Sequence, residues 1–93
     1  MHTAMFVAII PSTADGEAYM NWRAYSGWAS RQLRSYGNIE EIGPNVWIID
    51  LTKSVDPLGN FVHSAIAHKI GYKILSFDEP IHWLAGGPSP RTT

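Results

Sequence analysis

The stretch I-E-E-I-G-P-N-V-W-I-I-D-L, residues 39–51, decides the fold. Two short apolar segments, 39–42 and 46–51, flank Gly43-Pro44-Asn45, a composition that turns the chain, so the spacing predicts a β-hairpin. Outward from it the period changes on both sides. Toward the N-terminus, Ala18, Trp22, Tyr25, Ala29, Leu33 and Tyr36 recur at intervals of three and four, which lines one face of a helix over 17–36. Asp15 is placed to cap it, Gly37-Asn38 to stop it, and Gly27 within it suggests close packing. Toward the C-terminus, S-V-D-P predicts a helix start with Asp56 as cap and Pro57 at the first helical position. Leu58, Phe61, Val62, Ala65, Ile66 and Ile70 form its apolar stripe, and Gly71 stands where a left-handed residue is wanted.

Beyond the helices lie M-F-V-A-I-I, residues 5–10, and K-I-L-S-F, residues 73–77. The first lacks polar alternation, which predicts a strand covered on both faces or central in its sheet. The order is therefore β-α-β-β-α-β. Two helices falling on one face of a four-stranded antiparallel sheet make a ferredoxin-like α+β domain. Residues 81–84 are a candidate short fifth strand. Pro80 confines them to an edge, a bulge or a bend leading toward another chain, because it cannot donate to a ladder. We read residues 1–85 as a single domain and 86–93, G-G-P-S-P-R-T-T, as a flexible tail.

Composition limits the function classes. The chain has 93 residues, room for one core, and four tryptophans whose area exceeds what so small a core needs, which favours a second subunit. No cysteine is present, excluding disulfides, thiolate nucleophiles and cysteine-rich zinc modules. No apolar run is long enough to span a bilayer and no leader pattern follows Met1, so the expectation is a cytoplasmic protein with no membrane partner. Seven basic and eight acidic residues give a net charge of -1, so nucleic-acid binding requires a local patch.

Arg23, Arg31 and Arg34, with Trp28 and Tyr25, form the basic-aromatic cluster of the first helix. Such a mixture follows a phosphate backbone while stacking on bases. The competing reading is a solvated helix face, with Glu40 and Glu41 close behind. His63 and His68 are five residues apart, about 140° round a helix, and so are not expected to share a metal. His2 and His82 are isolated, the latter beside Trp83. Asp78 and Glu79 end a core strand and read as a solvated turn. Asp50 closes the second hairpin strand, as a lone acid or as an edge charge against stray pairing. No phosphate-binding loop, dinucleotide fingerprint or nucleophile elbow occurs.

The element order, with Val46-Trp47-Ile48, Ile74-Leu75-Ser76-Phe77 and Trp83, resembles the small Cas2-like proteins, including the SinR-like branch outside CRISPR loci. The resemblance covers most of residues 5–84. It implies a homodimer whose final strand pairs with the partner's sheet, here through Ile81, Trp83 and Leu84. It also implies a metal-binding aspartate at the end of the first strand, a position that reads Ile10-Pro11-Ser12 in this chain. Without a carboxylate, Ser and Thr hydroxyls hold Mg²⁺ poorly, and Pro11-Ser12-Thr13 reads as the turn into the helix.

The expectation is accordingly a non-catalytic homodimeric module that binds nucleic acid or a protein partner, with no metal or other cofactor. Two alternatives stand beside it. One is an enzyme: a nuclease using Asp15, Asp50 or Asp78 with Mg or Mn, or a small-molecule enzyme with Trp22, Tyr25 and His82 lining its pocket. The other is a phage- or plasmid-borne inhibitory interaction protein.

Overall fold

A computed structural model of the chain describes residues 2–79. Its elements are β1 (Thr3–Ala8), α1 (Gly16–Ser35), β2 (Ile39–Gly43), β3 (Val46–Asp50), α2 (Asp56–Ala67) and β4 (Tyr72–Phe77). They build one four-stranded sheet in the order β2-β3-β1-β4, every neighbouring pair antiparallel. This is the ferredoxin-like α+β arrangement that the hairpin and its flanking helices predict. Residues 81–84, the candidate fifth strand, lie outside the described residues.

Both helices cover the same face. Ala4, Phe6 and Ala8 of β1 are fully buried; Ala4 and Phe6 stand opposite Ile49 and Trp47 of β3, and Ala8 opposite Tyr72 of β4. Tyr25 from α1 and Phe61 from α2 meet Trp47 with ring centroids 6.3 and 5.2 Å apart, and Phe6 meets Phe61 at 5.4 Å. Edge-to-face packing of this kind adds to simple area burial. Tyr25 Oη donates a buried hydrogen bond, 3.0 Å, to the Phe61 carbonyl and so ties the two helices together. Trp47 Nε1 is buried with no hydrogen-bond partner among the described residues.

β1 is central, as its apolar run suggests, and both helices pack on one of its faces. Met5 and Val7 point to the side of the sheet away from the helices and are half-buried. The strand also runs two residues earlier than 5–10. Its start is extended by His2 N–H donating to the Phe77 carbonyl and Leu51 N–H donating to the His2 carbonyl. Its end is closed at Ala8, where Asn45 both donates through Nδ2 to the Ala8 carbonyl and accepts from Ala8 N–H. Ile9 and Ile10 are left exposed at 50% and 42%.

The ends of α2 differ from the sequence reading. Val55 is the N-cap, and Asp56 is already helical, its N–H donating to Ser54 Oγ at 3.2 Å. At the other end Lys69, not Gly71, takes the left-handed conformation, with φ 58°. Ile70 N–H donates to Ala65 and Lys69 N–H to Ile66, the paired bonds of a Schellman cap with Lys69 in the position glycine prefers. Gly71 instead lies against Ile9: a Cβ there would stand 3.3 Å from Ile9 Cδ1, a tight contact with the end of an exposed side chain. Ile66, assigned to the buried stripe, is 63% exposed because it falls on the outer side of the helix. Gly27 is not at a close contact either, since a Cβ there would meet only Arg31 Nη1, at 3.8 Å.

Candidate nucleic-acid interface

α1 starts where Asp15 accepts from Ala18 N–H, 3.1 Å, and Asp15 N–H donates to the Ser12 carbonyl. Ser12 Oγ accepts from Ala14 N–H. Ser12 to Asp15 thus form the turn and cap that convert β1 into α1. With Trp22, Tyr25 and Ala29 fixed in the core, the opposite face of the helix must point to solvent. Arg23, Arg31 and Arg34 are all exposed on it. At 3.6 residues per turn they fall within an arc of about 80° and along about 16 Å of helix axis. Arg31 folds back over Gly27, whose missing side chain leaves the surface between the arginines shallow. Glu17, in the first turn, is the only acid in α1, and among the described residues no carboxylate forms an ion pair with these arginines.

Trp28 lies on the flank of that face. It is half-buried, its ring 5.5 Å from Tyr25 and 5.2 Å from Phe61. There it lines a groove of about 370 Å³ between the helices, with Gln32, Asn60, His63, Ser64, Ala67 and His68. His63 and His68 both border this groove, although the helical repeat turns them about 140° apart. His68 is the C-cap residue of α2, its N–H still donating to the Ser64 carbonyl at 2.9 Å. Its Nδ1 lies 2.8 Å from the Ser64 carbonyl oxygen. A carbonyl only accepts, so Nδ1 donates there, and in the neutral ring Nε2 is the acceptor. Gln32 and Asn60 belong to no motif and escape a reading of the sequence; the i, i+4 spacing of Trp28 and Gln32 is the one signal they give.

The three candidate catalytic acids do not come together. Asp15 caps α1 at the C-terminal end of β1. Asp50 and Phe77 both stand opposite Thr3 at the other end, with Asp78 just after. Asp50 Oδ1 accepts from Thr52 Oγ1 at 2.6 Å and from Thr52 N–H at 3.0 Å, and these bonds hold its carboxyl below the ordinary carboxylate range. It borders a cleft of about 190 Å³ with Glu40 and Lys53. The edge-charge reading of Asp50 is corrected by the topology, because β3 lies between β2 and β1. Asp78 and Glu79 are exposed in a bend. Among the described residues no three His, Asp or Glu side chains are grouped to hold a metal ion. Tyr25 and Trp22, considered as pocket residues, are core: Tyr25 is fully buried and Trp22 6% exposed.

The sheet face away from the helices is apolar at its centre. Met5, Val7, Val46, Ile48, Leu75 and Phe77 share it by register, with Leu75 56% exposed. Glu40, Asp50 and Lys73 border it. Ile81, His82, Trp83 and Leu84, the expected dimer contacts and the isolated histidine, lie outside the described residues. No helix among the described residues is long and apolar enough to cross a membrane.

Fold and site together define a small ferredoxin-like α+β domain with a basic helix face and, away from the helices, an apolar sheet face. Compared with known protein families, with curated proteins and with solved structures, the chain matches none of them.

Proposed function

We propose that the chain is a non-catalytic homodimeric binding module, similar to the Cas2-like and SinR-like small proteins, that binds nucleic acid through the outer face of α1. The observation that carries this reading is the concentration of Arg23, Arg31 and Arg34 on one exposed helix face free of carboxylate partners among the described residues. In a chain whose net charge is -1, such segregation creates a local positive field where the whole molecule has none. Guanidinium groups suit phosphate because their planar donors engage two oxygens at once.

Two further observations support the rest of the reading. Asp15 is committed to the helix cap and Asp50 to Thr52, which leaves the acids in structural roles at opposite ends of β1. The apolar sheet face away from the helices, with Leu75 exposed on it, favours a protein partner there, and the second copy of the chain is the partner we assign to it.

The test incubates the full chain with a labelled oligonucleotide in Mg²⁺ or Mn²⁺ and, separately, in chelator. The oligonucleotide is expected to be bound and recovered uncut in both. Cleavage that requires the metal and disappears in Asp15→Asn, Asp50→Asn or Asp78→Asn would restore the nuclease reading. Absence of binding in either condition would overturn the nucleic-acid assignment.

A further inference from the structure

The groove between α1 and α2 has a lining that the arginine face alone does not call for. Its volume, about 370 Å³, lies at the lower end of the range of small-ligand sites. Its floor includes Trp28, braced by Phe61 and Tyr25, so an aromatic surface is held in place before any ligand arrives. Around it stand two amides. Gln32 is on α1; Asn60 is on α2 and is oriented by donating through Nδ2 to Tyr36 Oη at 3.0 Å. Each amide offers both a donor and an acceptor, and His68 adds an acceptor at Nε2. Among the described residues no carboxylate lines the groove.

A preformed aromatic surface with mixed donors and acceptors and no negative charge matches the chemistry of a nucleobase, which has a π face and an edge of alternating donors and acceptors. Position supplies the second half of the argument. Arg31 directly precedes Gln32 and is one turn from Trp28, so the groove opens beside the arginine face. A base seated in the groove would have its own phosphates next to those guanidiniums. We infer that the α1–α2 groove receives an unpaired base of single-stranded nucleic acid whose backbone runs along Arg23, Arg31 and Arg34. The inference rests on the reading of α1 as a phosphate-binding face, and it names the class of strand: in a duplex the base edges are paired and stacked, and no base is free to enter.

The experiment measures binding of the full chain to a fluorescent single-stranded oligonucleotide, to the duplex of the same sequence, and to a free mononucleotide, at fixed low salt. The single strand is expected to bind at least about tenfold more tightly than the duplex, since base stacking on an aromatic side chain is worth about 1–3 kcal/mol per base. Trp28→Leu is expected to remove that advantage. Because Trp28 also packs on the core, Gln32→Ala and Asn60→Ala serve as surface variants; each should weaken the single strand several-fold and leave the duplex unchanged. Equal binding of both forms, with Gln32→Ala and Asn60→Ala silent, would overturn the groove assignment while leaving the arginine face intact. A mononucleotide bound as tightly as the oligonucleotide would make the groove a nucleotide site and overturn the strand assignment. Failure of every nucleic acid to bind would overturn the underlying reading of α1 as well.

Discussion

Tyr25 shows how much one side chain does in a core of this size. Its ring meets Trp47 and Phe61, and its hydroxyl donates to the Phe61 carbonyl across the helix pair. Burial pushes the phenol well above its ordinary pKa of 10.0, because the phenolate would lie in a low-dielectric interior. The folded state therefore keeps its proton where the unfolded chain loses it. Stability is full below pH 10 and falls as pH rises past it. Tyr25→Phe is expected to cost about 1 kcal/mol at neutral pH, the net value of a buried hydrogen bond, and to flatten the alkaline loss of stability, measured by urea unfolding between pH 8 and 11. Trp47 presents the opposite case. A buried N–H without a partner costs about 1–3 kcal/mol, and its ring contacts with Phe6, Tyr25 and Phe61 offset that cost. The tryptophan's place in a strand is legible in V-W-I-I; its unpartnered N–H is not, since that depends on which rings surround it.

At the scale of elements, the C-terminal cap of α2 bears on both stability and site. The left-handed position falls on Lys69, whose Cβ crowds the backbone there, a strain of about 1–2 kcal/mol per residue. Lys69→Gly is expected to raise the unfolding free energy by up to about 1 kcal/mol, read from the denaturation midpoint; no gain would mean that the cap is not strained. The sequence reading assigns that role to Gly71 because the apolar spacing continues to Ile70. In fact Ile70 follows the left-handed residue, and Gly71 lies beside the Ile9 side chain. His68, the C-cap residue itself, lines the groove together with His63 from within the helix. The hairpin, the α1 stripe, the Asp15 cap and the element order are all legible because they rest on periodicity and turn chemistry. The earlier start of β1 is not, because it is imposed by the neighbouring strands.

For the whole molecule the decisive feature is the separation of its surfaces. The sheet face is apolar with Glu40 and Asp50 on its border, whereas the outer face of α1 carries arginine. A second copy on the sheet face would leave both arginine faces outward. The full chain is thus expected to sediment with the mass of two chains at micromolar concentration, and Leu75→Glu to yield one-chain mass with unchanged circular dichroism; a monomeric parent chain would contradict the dimer. The arginine clustering was readable from residue spacing, but its relation to the groove was not, because Gln32 and Asn60 come together only when α1 and α2 pack. The most direct test of the account is the salt dependence of single-strand binding, compared between the parent chain and Arg31→Ala/Arg34→Ala. Three phosphate contacts predict a slope of log K against log salt of about -2, and removal of two arginines should reduce it to about -0.7. A slope near zero, or one unchanged by the double substitution, would contradict the claim that this helix face binds nucleic acid.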